Sequence, residues 1–362
     1  MKVDESRVLA QFLDLVRIDS PSGHEATIAQ RLVAELRVLG CQVHQDATGN
    51  VLARRAGSRA LQGRVPIMLS GHMDTVQPGV GVQPVVEAGI VRSSGTTVLG
   101  ADDKAGLAAV LEALRVTQEI DCRPVEVAFT VAEETGLTGS KGLDTSWFKA
   151  RQAVVLDSNN VVGAIVNQAP AADKLRAVIH GKAAHAGVSP ELGISAIHAA
   201  AKALAQMKLG RIDAETTATV GTINGGVADN VIPDRVELVG GARSRSEAKL
   251  NAQIDHMKTL LEQAAAEMGA RADVTVERSY GAIDVPPAAS LIRELERAIR
   301  RCGLEPRLMP TGGGSDANIF NDRGIEAVNL GVGYKDMHST AESMAVADLV
   351  KVTEIVVALL TE

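Results

Sequence analysis

Acidic and imidazole side chains recur in this sequence where apolar segments end. His72 and Asp74 form an H-x-D pair after the segment VPIMLSG, and the adjacent Glu133 and Glu134 follow VEVAFTVA. The set is completed by Asp102 and Asp103 in GADDK, Asp157 after QAVVL, and His338 in DMHSTAE. Carboxylates and imidazoles without thiolates suit Zn²⁺, Co²⁺ or Mn²⁺ in a catalytic site better than a closed structural site. The residue types therefore indicate a catalytic metal centre.

Each member of this set also has a commoner explanation. An H-x-D pair can be a surface turn, two aspartates before a helix can complement its dipole, and paired glutamates can lie in solvent. A single aspartate after a strand is often a turn or N-cap residue. Burying two adjacent carboxylates, however, is costly unless a cation compensates them. The repeated placement at predicted strand ends and loops favours the metal centre over these alternatives.

The elements predicted around these residues alternate between strand and helix, which indicates an α/β fold. Buried strands are predicted at 65–71, 125–132 and 152–160, and a tight turn enters a helix at 100–116. The other predicted elements are an amphipathic amino-terminal helix, helices over 25–39, over 288–301 and from Met344, and a strand at 327–330. In open α/β sheets, ligand sites collect outside the carboxyl ends of the strands. We therefore expect the scattered acids and histidines to converge there.

The pattern changes from about residue 173. Strand, helix, strand, strand, helix and strand follow one another up to residue 281. This is the β-α-β-β-α-β order of a ferredoxin-like unit. We therefore predict an inserted domain at 173–281 and a catalytic α/β domain, with a mixed sheet flanked by helices, at 1–172 and 282–362.

The composition of the 362-residue chain excludes several classes of protein. With 46% hydrophobic and 22% charged residues, it has the balance of a soluble globular protein. A net charge of −7 and few aromatics (one Trp, two Tyr, four Phe) argue against a nucleic-acid binder. No stretch reaches ~18 uninterrupted apolar residues, so we expect no membrane span. The three scattered cysteines and the lack of a secretory signal predict reduced thiols and a cytoplasmic location.

A succession of motifs carries a resemblance to a known family. GHMDTV, GADDKAG, AEETGLTGS, VLDS and MHSTAE resemble, in this order, the co-catalytic zinc metallopeptidases that include peptidase T, glutamate carboxypeptidase and succinyl-diaminopimelate desuccinylase. The forms GADDKAG and EETGLTGSKGL are most similar to peptidase T and its relatives. The resemblance covers nearly the whole chain. It implies a zinc-peptidase-like catalytic domain with an inserted ferredoxin-like lid or dimerisation domain, and it allows a homodimer through that lid.

The resemblance also implies two divalent metal ions, for which we expect Zn²⁺, with Co²⁺ or Mn²⁺ as alternatives. His72, Asp102 and Asp157 would hold the first ion. Asp102, Glu134 and His338 would hold the second, so that Asp102 bridges the two. Three protein ligands per ion leave a position open for water.

Further roles at the centre follow from the same resemblance. Asp74 would accept the second ring N–H of His72 and so fix its tautomer. Glu133 would act as general base, taking a proton from water and passing it to the leaving amine. Asp103 would lie beside the bridge, where the family commonly has a cis peptide, although a carboxylate at a helix start is an equally good explanation.

The inserted segment supplies weaker signals. HGKAAHAGVSPELGISAI resembles the family segment whose histidine, here His185, stabilises the oxyanion, often in a partner subunit's site. His180 and His198 have no such match, and we predict that they are structural. GGVADNVIPD and GARSRS resemble substrate-contacting segments and point to Asn230 and Arg243.

Arg243 and a glycine-rich loop complete the predicted substrate contacts. Arg243 could hold a substrate carboxylate bidentately, or it could be a surface arginine paired with an acidic residue. TGGGSDANIF lacks the GKS/T ending of a phosphate loop. It resembles the family's glycine-rich loop lining the substrate cleft, with Gly313 and Ser315 near the ligand.

The predicted function is a two-metal hydrolase that cleaves an amide bond of a small substrate, in the manner of an aminopeptidase acting on short peptides. Strict tripeptide specificity is disfavoured, because GARSRS lacks an RDFD-like acidic continuation and 362 residues is short for that enzyme. A carboxypeptidase or an N-acyl-amino-acid deacylase on the same scaffold is one alternative. A catalytically silent binding or scaffold relative is another, which is disfavoured because every ligand position and Glu133 are filled.

Overall fold

The computed structural model describes residues 3–362, which form two compact units. The first unit contains the residues up to Gln168, Ile283–Thr311 and Ser315–Glu362. The second unit contains Ala169–Ala282 and Gly312–Gly314. Most of the second unit therefore interrupts the first as one continuous stretch of chain.

The helices and strands are numbered in chain order. The α-helices are α1 (Glu5–Val16), α2 (Ala26–Val38), α3 (Ala101–Val116), α4 (Thr138–Gly142), α5 (Ala196–Leu204), α6 (Glu247–Glu267), α7 (Ser290–Arg301), α8 (Asp316–Asp322) and α9 (Val346–Leu360). The strands are β1 (Gln42–Gln45), β2 (Val51–Arg55), β3 (Ile67–His72), β4 (Pro84–Glu87), β5 (Ile90–Ser93), β6 (Val125–Thr130), β7 (Gln152–Val155), β8 (Ala164–Ala169), β9 (Ala171–His180), β10 (Gly210–Arg211), β11 (Thr216–Gly225), β12 (Arg235–Ser244), β13 (Arg271–Tyr280), β14 (Ile283–Asp284), β15 (Arg307–Pro310), β16 (Glu326–Leu330) and β17 (Ser343–Ala345). Among the described residues, no helix has both the length and the apolar composition needed to cross a bilayer.

A mixed sheet forms the centre of the first unit. Its strand order is β1-β2-β6-β3-β7-β16-β8-β14, with β15 paired to β8. The central strands β6, β3, β7 and β16 run parallel, whereas β1 pairs antiparallel with β2, β2 with β6, and β8 with β16. Every residue of β3 and β6 is buried, as expected of parallel strands that are covered on both faces.

Helices flank this sheet. The helices α1, α3, α7 and α9 pack on one another, α3 packs on β3, and α8 packs on β7 and β16. A small separate sheet has the order β17-β5-β4. The predicted α/β fold, with a mixed sheet flanked by helices, is confirmed.

The second unit is an antiparallel sheet with two helices. Its strand order is β10-β11-β12-β9-β13. The helices α5 and α6 pack on each other and on the sheet. The buried residues of α5 are all alanines, namely Ala196, Ala199, Ala200 and Ala203, and such small side chains permit close packing against α6. Without the two-residue edge strand β10, the chain order is β-α-β-β-α-β, so the predicted ferredoxin-like arrangement is confirmed.

The structure differs from the predicted elements mainly at their ends. The strand predicted at 152–160 ends at Val155, because polar residues follow Leu156 and Asn160 donates to the Ser158 hydroxyl at 2.9 Å outside the sheet. The closing helix begins at Val346 rather than Met344, since β17 pairs with β5 immediately before it.

Candidate metal centre

The carboxyl ends of three neighbouring strands meet at one edge of the first unit's sheet. β3 lies between β6 and β7, and both pairings are parallel, so the three following loops leave the sheet side by side. β3 ends at His72, and the loops after β6 and β7 carry Glu133, Glu134 and Asp157. This shared edge makes side chains that are far apart in the sequence into neighbours.

Asp102 offers one carboxylate oxygen to each of two groups of side chains. Asp102 Oδ1 lies 3.1 Å from His72 Nε2, and Asp157 Oδ1 lies 3.9 Å from the same nitrogen. Asp102 Oδ2 lies 3.3 Å from His338 Nε2, which in turn lies 2.8 Å from Glu134 Oε1. We call these groups the His72 triad (His72, Asp102, Asp157) and the His338 triad (His338, Asp102, Glu134). The structure therefore brings together all the residues predicted as metal ligands.

Both triads have the donor chemistry and the spacing of a divalent-metal site. In a tetrahedral site with bonds of about 2.0 Å, neighbouring donor atoms lie roughly 3.3 Å apart. The separations within the triads, from 2.8 to 3.9 Å, bracket that value. Ligand atoms of His72, Asp102 and Glu134 all lie within 4.8 Å of one another. Within residues 3–362, no Lys or Arg pairs with a carboxylate of either triad, so the residues present fit divalent cations.

The buried carboxylates and the two histidines shift one another's pKa values. Burial, and then the charge of Asp102, raises the pKa of Asp157 to about 8. Burial by itself would raise the pKa of Asp102. Hydrogen bonds from His338 and His72 outweigh burial and lower the pKa of that carboxyl. The hydrogen bond between His338 and Asp102 raises the pKa of His338 to about 9. Because metal ligands must be deprotonated, metal binding at these triads would release protons.

Glu133 and Glu134 are in different environments although they are adjacent. Glu134 reaches His338, whereas the carboxylate of Glu133 has no hydrogen bond or ion pair within the described chain. Glu133 is only 9% exposed, and burial, then the charge of Asp157, raises its pKa well above the ordinary value. A buried, unpaired carboxylate of raised pKa is suited to take a proton from water. The pair is therefore not a solvated sheet edge.

Asp74 orients His72 and also holds the loop that carries the two glutamates. His72 Nδ1 lies 3.0 Å from the backbone oxygen of Asp74 and 3.4 Å from its carboxylate, so the backbone oxygen is the nearer acceptor. The carboxylate of Asp74 accepts from the Ser22 hydroxyl at 2.6 Å. It also accepts the backbone N–H groups of Glu133 and Glu134, at 2.9 and 3.2 Å.

Asp103 is fully buried beside the bridging residue. The Asp102–Asp103 peptide bond is cis, and Asp103 Oδ2 accepts the backbone N–H of His72 at 3.2 Å. Burial, and then the charge of Asp157, raises the pKa of Asp103 well above its ordinary value. Asp103 is thus a buried support of the centre, not a solvated carboxylate at the start of α3.

Two buried residues at this site were not predicted from the sequence. Tyr334 is 1% exposed, and its hydroxyl lies 3.1 Å from carboxylate oxygens of both Asp102 and Asp157. Glu342 is 2% exposed and accepts three backbone N–H groups of the segment that enters α3, at 2.8–2.9 Å. The position of Glu342 at the end of the motif MHSTAE was an available signal. For Tyr334 the only signal was its closeness to His338 along the chain.

In the second unit, His185 and Asn230 lie on adjacent segments. Ala186 donates its N–H to the Asn230 carbonyl at 2.9 Å. His185 is exposed, and its Nδ1 accepts the backbone N–H groups of Gly187 and Val188 at 3.1 and 3.2 Å. A neutral imidazole whose Nδ1 accepts carries its proton on Nε2, so His185 presents a free N–H donor.

The other predicted residues of the second unit separate into free and paired side chains. Arg243 is exposed on β12, and within residues 3–362 its guanidinium has no hydrogen bond or ion pair, unlike the paired surface arginine considered from the sequence. His180, predicted to be structural, pairs with Asp273 Oδ2 at 3.1 Å. His198 is exposed on α5.

The glycine-rich loop is used for packing and for helix capping. A Cβ on Gly314 would come within 2.2 Å of the Tyr280 ring, so this position has room only for glycine. Ser315 is the N-cap of α8, and its hydroxyl also bonds the Asn329 side chain at 3.0 Å. Gly313 is exposed. Of the two predicted ligand contacts in this loop, the Ser315 hydroxyl is thus already satisfied within the protein.

Both the sequence and the structure of this chain are similar to those of known proteins. The family model for Peptidase family M20/M25/M40 matches residues 68–362. The uncharacterized protein YqjE of Bacillus subtilis (strain 168) is 45% identical over 367 residues, which cover 99% of each chain. The structure of aminopeptidase PepT from Bacillus cereus ATCC 10987 is similar with a TM-score of 0.91 and 42% identity, over 99% of this chain and 98% of the other. A tripeptidase from Staphylococcus aureus subsp. aureus Mu50 has a TM-score of 0.94 and 38% identity, over 100% and 99%. The chain therefore belongs to the peptidase family M20/M25/M40.

Proposed function

We propose that this protein is a metal-dependent aminopeptidase that cleaves short peptides. The observation that carries the proposal is the pair of triads sharing Asp102, next to the unpaired carboxylate of Glu133. The names of the two solved relatives, an aminopeptidase and a tripeptidase, support short peptides as the substrate class.

The His72 triad is proposed as the ligand set of one divalent ion, and the His338 triad as that of a second. When bound, the ions supply Lewis acidity that polarises the scissile carbonyl and makes water more acidic. For imidazole and carboxylate donors we propose Zn²⁺, with Co²⁺ or Mn²⁺ as alternatives.

Residues of the chain move the protons and stabilise the developing charge. Glu133 takes a proton from the attacking water and delivers it to the leaving amine, because its carboxylate is free and burial raises its pKa. Asp74 keeps Glu133 in place by accepting its backbone N–H. His185 donates its Nε2–H to the carbonyl oxygen as that oxygen becomes negative, from the same chain or from a second copy.

Substrate contacts are proposed for Asn230, Arg243, Gly313 and Ser315. Arg243 has the free guanidinium that can hold a peptide carboxylate bidentately. Ser315, whose hydroxyl bonds Asn329, would act by fixing the end of the glycine-rich loop.

The organisation of the whole protein is part of the proposal. We propose residues 1–172 and 282–362 as the catalytic domain and 173–281 as a lid that also forms a homodimer. Apolar side chains exposed on the second unit support such an interface, among them Val188 and Val227, which are 77% and 84% exposed. The cysteines are free thiols, which supports a cytoplasmic location.

A matched peptide panel tests the direction of cleavage. The protein, supplied with Zn²⁺, Co²⁺ or Mn²⁺, would be incubated with a tripeptide in free, N-acetylated and C-amidated forms. We expect release of the amino-terminal residue from the free and amidated forms and no cleavage of the acetylated form. Release of the carboxy-terminal residue from the free and acetylated forms, but not from the amidated form, would support a carboxypeptidase, and cleavage of only the acetylated form would support a deacylase. No hydrolysis across the panel would support a silent relative.

Glu133→Gln tests the proposed general base. Loss of acid–base catalysis should lower kcat by roughly 10²–10⁴-fold. Metal content should stay normal, because Glu133 belongs to neither triad. Glu87→Gln, which removes the same charge from an exposed position of β4, is the control and should keep full activity. Full activity of Glu133→Gln would remove this residue from the mechanism.

A further inference from the structure

We infer that Tyr334 is a positioning residue of the metal centre, whose hydroxyl sets the relative orientation of the two carboxylates in the His72 triad. The inference rests on the proposed function, since it assumes that this triad holds an ion. It adds to the ligand sets a hydrogen-bonding group that binds no ion itself.

The hydroxyl of Tyr334 contacts both carboxylates of the His72 triad. It is 3.1 Å from Asp102 Oδ1 and 3.1 Å from Asp157 Oδ1, and the whole residue is 1% exposed. These are the same two oxygens that lie near His72 Nε2, at 3.1 and 3.9 Å. A phenol carries one donor proton, which two carboxylate acceptors can share. The hydroxyl therefore links the oxygens that the first ion would need.

The backbone on both sides of Tyr334 is fixed, so the phenol has little freedom to move away. Val332 donates its N–H to the carbonyl of Ser158, the residue that follows Asp157, at 2.8 Å. Lys335 and Ser343 exchange N–H···O bonds at 2.9 and 3.1 Å. The hydrogen bond from Val332 to Ser158 ties the segment of Tyr334 to the loop that carries Asp157 of the His72 triad.

Tyr334 also stands at the start of the segment that carries His338, so it links the supports of both triads. Its hydrogen bonds, however, go to Asp102 Oδ1 and Asp157 Oδ1 on the His72 side, whereas the oxygen of Asp102 near His338 is Oδ2. Groups that orient metal ligands typically contribute about 10–100-fold to metal affinity. Removing the hydroxyl should therefore weaken one ion much more than the other.

Metal binding by Tyr334→Phe tests the inference without any measurement of activity. Phenylalanine keeps the ring and removes only the oxygen. Chelator-treated wild type, Tyr334→Phe and Tyr280→Phe would be titrated with Zn²⁺ by calorimetry, and with Co²⁺ by its visible absorption. Tyr280→Phe removes a phenol oxygen from a tyrosine of the second unit and is the matched control. Circular dichroism and the melting temperature of the metal-free proteins check that each variant folds.

We expect two ions per chain for the wild type and for Tyr280→Phe. Tyr334→Phe should bind one ion with unchanged affinity and the other about 10–100-fold more weakly, with an altered Co²⁺ spectrum for that ion. If the wild type binds two ions and Tyr334→Phe binds both with unchanged affinity, the inference about Tyr334 is overturned but the two-ion centre is not. Equal weakening of both sites together with a lower metal-free melting temperature would also overturn it, because the role would then be structural. A wild type with fewer than two sites would overturn the two-ion centre and this inference with it.

Discussion

At the scale of single residues, two glycines give the buried carboxylate of Asp103 its space. A Cβ on Gly71, in β3, would lie 2.3 Å from Asp103 Oδ2, and a Cβ on Gly106, in α3, would lie 2.4 Å from Oδ1. The Cβ on Gly106 would also lie 2.4 Å from the backbone oxygen of Leu156. Since Asp103 in turn accepts the N–H of His72, this packing joins the end of β3 to the start of α3.

Gly106→Ala should lower the free energy of unfolding by about 1–3 kcal/mol, the usual cost of overpacking. Alanine is better than glycine in a helix by about 1 kcal/mol, but the added methyl group meets a backbone oxygen that no rotamer change can relieve. Urea denaturation measures the difference. Gly63→Ala is the control, because no atom lies within 4 Å of the added Cβ. Equal midpoints for the two variants would contradict this account.

At the scale of elements, a carboxylate from a distant part of the chain holds the segment that enters α3. Glu342 Oε2 accepts the N–H groups of Leu99 and Gly100, both at 2.8 Å, and Oε1 accepts that of Asp102 at 2.9 Å. These N–H groups at the helix start need partners outside the helix. Because Glu342 ends the loop of His338, one side chain sets the positions of ligands from two elements.

The loop after β6 is held in the same way. Asp74 accepts the N–H groups of Glu133 and Glu134, and Glu25 accepts that of Ala132 at 2.9 Å. Each ligand-bearing loop is thus held through its backbone, which leaves the side chains of the triads free for other partners.

Glu342→Gln should lower the free energy of unfolding by about 1–3 kcal/mol, the cost of a buried polar group left unsatisfied. The amide replaces one acceptor oxygen with a donor, so at least one of the three N–H groups loses its partner. Metal affinity should fall as well, because Asp102 and His338 lose their common support. Thermal unfolding and metal titration measure the two effects. Glu277→Gln, an exposed change on β13 with the same loss of charge, should behave as the wild type. Indistinguishable curves for the two variants would refute the role of Glu342.

At the scale of the whole molecule, the sequence predicted the elements and ligands better than their supports. β3 and β6 are fully buried strands rich in apolar residues, whereas β4 and β17 are too short for a periodic pattern to detect. Metal chemistry restricts ligands to a few residue types, so the sequence indicated a metal centre, whereas the grouping into two triads came from the family resemblance. Tyr334 and Glu342 bond Asp102 across 232 and 240 residues. Such pairings arise only in the tertiary structure; the motif MHSTAE includes Glu342 but does not indicate which groups it bonds.

The same centre makes the stability of the metal-free protein depend on pH. Burial, then the charge of Asp102, raises the pKa of Asp157 to about 8, so the fold loses stability as pH rises from the unfolded pKa to that value. The hydrogen bond to Asp102 raises the pKa of His338 to about 9. The stability that His338 contributes is complete below the ordinary imidazole pKa of ~6.5. It is lost as pH rises through the pKa of His338 in the folded protein. Both effects lower the stability between pH ~6.5 and about 8, and from there to about 9 only the His338 contribution declines further.

The chelator-treated protein should therefore melt at progressively lower temperature as pH rises from ~6.5 to about 9. Metal binding needs deprotonated ligands and tightens as pH rises, so the melting temperature gained on adding metal should grow across this range. Calorimetry at constant ionic strength measures both forms. Asp157→Asn cannot titrate and should lose part of the slope of the chelated form, whereas Asp255→Asn, on the exposed face of α6, should keep all of it. A melting temperature of the chelated wild type that stays level or rises over this range would show that the buried acids and histidines do not control its stability.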